Sequence, residues 1–207
     1  EYLEAVRKPF RALNANYRNY NWEPGKRRGP LGSHDGYADA IESGINLFNR
    51  ENDSDLHQWI DSEIQVMFGM QQPDGIIEGW HGDGNFARTA LMYGLWKTQG
   101  ARLSSWNPSL RLGAATTKKG TYFVIRAAAD WNGKLMFDPI RHKTILNLPL
   151  DYPRINQFPE WFTVDPKLEY KITASEPKLS NTYSGAKLLH GLPVELSKGQ
   201  RLVIAIE

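Results

Sequence analysis

Two short stretches gather most of the side chains that could do acid–base chemistry. The first, His34-Asp35-Gly36-Tyr37-Ala38-Asp39, sets an imidazole, two carboxyls and a phenol close together. The second, Glu78-Gly79-Trp80-His81-Gly82-Asp83-Gly84-Asn85, adds two carboxyls, an imidazole, an indole and an amide, with Arg88 just beyond. Cleavage of a glycosidic bond needs two carboxyl groups across the scissile bond. One protonates the leaving oxygen, and the other acts as base or nucleophile. Asp35 and Asp83, one from each stretch, are the candidate pair. His81 is the assisting proton carrier, because an imidazole beside a carboxylate titrates near neutral pH. His34, Tyr37, Asp39, Glu78, Trp80, Asn85 and Arg88 are the candidate substrate contacts. Trp80 offers a flat face to a sugar ring, and Arg88 offers a planar fork to a uronate carboxylate. Gly82 and Gly84 let the backbone approach a ligand closely.

Structural duties compete for the same residues. Asp35, and Asp83 or Asn85, would each serve as a helix N-cap, and Trp80 would serve as a plug at the rim. Asp39 and Glu42 lie three apart and share a helix face, where Glu42 is expected to be solvated. His81 and Asp83, with a distant Glu or His, are compatible with Ca²⁺ or Zn²⁺. Isolated His-x-Asp pairs are common by chance, so no cofactor is expected, Ca²⁺ being the ion kept in view. His57, His142 and His190 read as structural. Trp131 and Trp161 read as core or interdomain packing.

The elements that must position these groups change character near residue 100. Before it, apolar residues recur at helical spacing: Leu3, Val6, Phe10, Leu13 and Tyr17; then Ala38, Ile41, Ile45 and Phe48 after Gly36 and Asp39. Trp59, Ile60, Ile64, Met67 and Phe68 follow the Asp53-Ser54-Asp55 cluster, and Phe86, Ala90, Tyr93, Leu95 and Trp96 end at Gly100. Four helices in two antiparallel hairpins result. The connections 21–35 and 72–85 would then lie at one end of the bundle and carry the chemistry, while the connection around 52–55 is short. After residue 100 the signals are strand-like, over 121–127, 134–137, 144–148, 161–164, 170–173 and 201–206, with Asn132-Gly133 read as a tight turn. Short strands separated by turns predict an antiparallel β-sandwich. The fold class is therefore α+β, with residues 1–102 helical and residues 103–207 a sandwich.

Composition narrows the functional classes. Twenty-five basic and 23 acidic residues in 207 give a formal net charge of +2, which argues against a dedicated nucleic-acid binder. The one basic run, Lys26-Arg27-Arg28, is too short to change that. Cysteine is absent, so disulfides and thiolate metal sites are excluded. No apolar run approaches the roughly 20 residues of a membrane span. The chain starts at Glu1 and not at methionine, so an upstream part of the same protein is expected as a partner.

The motif residues resemble a known group. His34 to Glu42, Trp59-Ile60-Asp61-Ser62-Glu63-Ile64 and Glu78 to Arg88 are similar to bacterial six-hairpin glycosidase-type proteins. Trp131-Asn132-Gly133, Arg141-His142 and Pro159-Glu160-Trp161-Phe162 are similar to the sandwich that follows the toroid in such proteins. The resemblance implies the C-terminal hairpins of an (α/α) toroid followed by a β-sandwich. It also implies hydrolysis of a complex or uronate-containing oligo- or polysaccharide. A secreted or periplasmic setting would suit that role. Two rivals stay open: a polysaccharide lyase on the same toroid, leaning on Tyr37 and the histidines, and a non-catalytic glycan-binding or structural module.

Overall fold

The computed structural model describes residues 1–16, 34–51, 54–77, 83–148, 159–175 and 179–207. Among these the chain is α+β, with six helices and ten strands. It divides into two compact units, Glu1–Tyr93 and Gly94–Glu207. That division falls inside the fourth helix, earlier than the sequence-based boundary between residues 102 and 103. No helix among the described residues is long and apolar enough to cross a membrane.

The first unit is helical: α1 Tyr2–Asn16, α2 His34–Phe48, α3 Ser54–Met70 and α4 Asp83–Thr98, whose last residues belong to the second unit. The apolar spacing places Ile41 and Ile45 of α2 and Trp59, Ile60, Ile64 and Met67 of α3 in one buried set. Gly44 lets the helices close up. A Cβ there would sit 3.3 Å from both Ile60 of α3 and Phe10 of α1. Phe10 in turn meets Trp59 edge-on, with ring centroids 5.8 Å apart. One expectation fails here. Gly36 and Asp39 do not precede α2 but lie within it. Leu3 and Val6 stay exposed, so only the later turns of α1 are buried. Phe68 is also exposed, its ring meeting Tyr93 edge-on.

The second unit is built from sheets. One has the order β1-β4-β9, from Arg102–Leu103, Trp131–Met136 and Leu192–Leu196. The other has the order β2-β3-β10-β7-β8, from Leu110–Thr117, Gly120–Ala127, Arg201–Ile206, Glu169–Ala174 and Leu179–Ser184. Both are antiparallel throughout. A third, parallel pair joins β5 Asp138–Pro139 to β6 Thr163–Val164. Strand alternation sends Phe123, Ile125, Leu202, Ile204 and Ile172 of the larger sheet into one apolar cluster. Trp131, Leu135, Leu192, Val194 and Leu196 of the smaller sheet enter the same cluster. Phe123, Phe137 and Phe162 meet mutually edge-to-face inside it, at centroid separations of 5.4–5.6 Å.

Two sequence readings of this unit are corrected. Residues 144–148 form no strand. Arg141–Thr144 is a short helix, α5, and Asn147 beyond it takes a left-handed φ of 54° that breaks any extended run. The other short helix, α6, is Gly185–Leu188. Asn132-Gly133 is not a turn but mid-strand, paired with Glu195 and Val194 of β9. Glycine is needed at 133 because the Trp131 indole occupies the space a Cβ would take.

Candidate functional site

Of the residues proposed for chemistry, Glu78, Trp80 and His81 lie outside the described residues, as do the side chains of His34, Asp35, Tyr37 and Asp83. What the structure does give is the backbone that carries four of them. His34, Asp35 and Tyr37 fall in the first turn of α2, and Asp83 is the first residue of α4. Asp35 is thus a helical residue and not the residue that caps the helix. Asn85 is half-buried in the first turn of α4.

One turn further on, α2 and α4 are fastened together. Arg88 Nε donates to both carboxylate oxygens of Glu42, at 2.8 and 2.9 Å. Its Nη2 donates to Asp39 Oδ1 at 2.9 Å. The fully buried Thr89 hydroxyl completes the set, donating to Glu42 Oε1 at 2.7 Å. Hydrogen bonding to Glu42 is the main cause that holds the Arg88 guanidinium above its ordinary pKa, with the Glu42 and Asp39 charges adding to it. The group is a permanent cation. Glu42, expected to be solvated, has a side chain only 12% exposed. A largely buried carboxylate is satisfied here by a charge-assisted hydrogen bond from one N–H shared between its two oxygens, and by the Thr89 hydroxyl. A substrate carboxylate reaching Arg88 would share it with both acids.

A second polar group links α3 and α4. Tyr93 donates its hydroxyl to Asp61 Oδ1 at 3.0 Å, and His57 Nε2 lies 3.2 Å from Asp61 Oδ2. Burial, and next the Asp61 charge, push the Tyr93 phenol well above its ordinary pKa. It therefore stays a neutral donor and cannot serve as a base near neutral pH. The half-exposed His57 ring is oriented by Asp61 and by the Phe48 ring, 5.3 Å away between centroids. Sequence reading treated His57 as structural, Tyr93 as core and Asp61 only as part of a motif. The His57–Asp61 spacing of one helical turn was a usable signal. Nothing local signals that Tyr93 or Arg88 crosses to another helix.

Among the described residues no group of three His, Asp or Glu could hold a metal ion. His81, and the side chain of Asp83, lie outside that set. Comparison of the chain with family models, with curated proteins and with solved structures finds no match.

Proposed function

We propose that this chain is the C-terminal part of a glycoside hydrolase that acts on a complex or uronate-containing polysaccharide. In this reading, residues 1–102 are the closing hairpins of an (α/α) toroid and residues 103–207 a β-sandwich. The observation that carries the reading is the Arg88 bridge. It ties the second turn of α4 to the second and third turns of α2, the two helices whose first turns include Asp83 and Asp35. The resemblance of His34–Glu42 and Glu78–Arg88 to six-hairpin glycosidases falls on those same two helix starts. The exposed apolar side chains Tyr2, Leu3, Val6 and Leu91 support a toroid in which further hairpins pack on this unit. Two antiparallel sheets that share one apolar cluster support the sandwich.

In the proposed reaction Asp35 and Asp83 divide the labour. One protonates the glycosidic oxygen while the other activates water or attacks the anomeric carbon. His81 relays the proton, and Trp80, Tyr37 and Asn85 hold the sugar. Arg88 keeps the two helix starts together, and Asp39 and Glu42 hold Arg88.

The test is reducing-end release from a panel of uronate-containing and neutral polysaccharides by the full-length protein. Asp35→Asn and Asp83→Asn are each expected to lower turnover by about 10²–10⁴-fold with an unchanged melting midpoint. No release from any polysaccharide would favour a non-catalytic module, and unchanged turnover in both variants would remove Asp35 and Asp83 from the acid–base pair. Products that absorb in the near ultraviolet would move the assignment to β-elimination and a lyase.

A further inference from the structure

The larger sheet carries a row of three arginines that have no acidic partner among the described residues. In the antiparallel register Arg111 of β2 stands opposite Arg126 of β3, and Arg126 stands opposite Arg201 of β10. All three are exposed, on the face away from the apolar cluster that receives Leu110, Ile125 and Leu202. Neighbouring strands lie about 4.8 Å apart, so the row crosses roughly 10 Å of sheet. Among the described residues no carboxylate pairs with any of the three. Asp130, in the connection to β4, accepts the Lys198 N–H at 2.6 Å instead. Arg111 Nη1 donates to the carbonyls of Pro108 and Leu110, at 2.7 and 2.9 Å, which pins one end of the row.

Like charges set directly opposite on a sheet destabilise it. Here two such pairs stand side by side with no acid between them. They line a groove of about 470 Å³ that also takes in Ser109, Gly199 and Gln200. A guanidinium fork matches the oxygens of a carboxylate or a sulfate ester two at a time. Three forks in one line suit a polymer that repeats such groups. Beyond the row the same face turns neutral and low, with Gly113 and Ala115 on β2 and Val124 and the half-buried Tyr122 on β3. Tyr122 lies four residues from Arg126, about 13 Å along the strand, and offers a ring to a sugar of the same chain.

We propose that Arg111, Arg126 and Arg201 form an anion-binding subsite for a polyanionic glycan laid across the β2–β3–β10 face. The oxyanion chemistry stands on the row itself. The choice of a glycan rests on the hydrolase reading. A nucleic acid is disfavoured by the near-balanced charge of the chain.

The experiment is affinity electrophoresis of the intact protein through gels containing polygalacturonate, dextran sulfate or neutral dextran, with an oligothymidylate as competitor. Retardation is expected in polygalacturonate or dextran sulfate and not in neutral dextran. Whichever anionic gel retards more names the carboxylate or the sulfate ester as the group recognised. Retardation is expected to weaken with salt through counterion release, as for other polyanions. The triple variant Arg111→Ala/Arg126→Ala/Arg201→Ala is expected to bind about tenfold more weakly or worse. Its melting midpoint should be unchanged or raised, because the like-charge contacts are gone. No retardation at low salt, or equal retardation of the triple variant, would overturn the proposal. So would tighter binding of oligothymidylate through the same arginines. A protein that cleaves polysaccharide without being retarded refutes the row and spares the hydrolase reading. One that is retarded through the row but cleaves nothing refutes the hydrolase reading alone.

Discussion

The helical unit and the sheet unit hold their arginines in opposite ways. In the first, Arg88 shares its Nε–H between both oxygens of Glu42 and gives a further N–H to Asp39, so the cation works as a cross-link between two helices. In the second, Arg111, Arg126 and Arg201 stand in register with one another and, among the described residues, with no acid. The overall balance of 25 basic against 23 acidic residues conceals this difference. Charge that is internally neutralised serves the fold. Charge left in a row raises the energy of the fold and remains available to an outside anion.

The contrast is sharpest in stability. Arg88→Ala leaves the largely buried Glu42 carboxylate facing Asp39 with its counter-charge removed, and should lower stability by about 2–3 kcal/mol. Arg88→Lys should recover only part of that, because a single ammonium lacks the two separate N–H directions that Arg88 aims at Glu42 and at Asp39. Asp39→Asn should cost about 1 kcal/mol or less, since the Asp39 side chain is 62% exposed. Urea midpoints of the three variants check the order. If Arg88→Ala proves as mild as Asp39→Asn, the cross-link contributes little to the fold.

A second pair of variants compares how closely each unit is packed. Gly44→Val pushes a branched side chain between Ile60 and Phe10, and Gly133→Ala forces the buried Trp131 indole from its place. Each is expected to cost about 1–3 kcal/mol as overpacking. Differential scanning calorimetry should show both midpoints lowered. A neutral Gly133→Ala would mean that β4 bends to admit a Cβ and that glycine there is not required by the indole.

What the sequence disclosed follows the same division between local and distant causes. All four long helices were legible, because Ile41 and Ile45, or Trp59, Ile60, Ile64 and Met67, repeat at helical spacing and are buried as that spacing demands. Strands β3 and β10 were legible from their apolar and β-branched runs. Strand β2 was hidden by Gly113-Ala114-Ala115, which are weak strand formers held in place by pairing with β3. Strand β9 alternates cleanly, but Pro193 disguised it. Proline is tolerated there because β9 is an edge strand. Thr144 to Leu148 carried strand-like residues that pair with no strand among the described residues, and Ile145 and Leu146 are exposed. At the candidate site the motifs marked the starts of α2 and α4. The Glu42–Arg88–Thr89 contact was illegible, since it joins residues more than forty positions apart in the chain.

A smaller effect separates the two polar clusters of the helical unit by pH. The Tyr93 phenol is held above its ordinary pKa of about 10 by burial and by Asp61. Its contribution to stability is therefore complete below pH 10, where the phenol is protonated folded and unfolded alike. As pH rises past that value the unfolded chain loses the proton first and stability falls. The Arg88 guanidinium, held above its already higher ordinary value by Glu42, stays charged throughout this range. Melting midpoints measured from pH 8 to 11 should fall more for the native protein than for Tyr93→Phe, which carries no phenol. Parallel curves would mean that Tyr93 ionises as freely in the folded state as in the unfolded one.

The smallest expected change is the one that most directly tests the comparison. Arg126 is the middle member of its row, with a like charge on either side, so Arg126→Thr removes both repulsions and installs a good strand former. Stability should stay within about 0.5 kcal/mol of the native value, and on the favourable side. Salt supplies an independent readout. Raising it from low to physiological ionic strength screens the row, and should stabilise the native protein more than the variant. If Arg126→Thr instead costs more than about 1 kcal/mol, the aliphatic stem of Arg126 is packed against the sheet and contributes to the fold. The row would then resemble the Arg88 cluster in function, and the opposition between the two units would be one of geometry only.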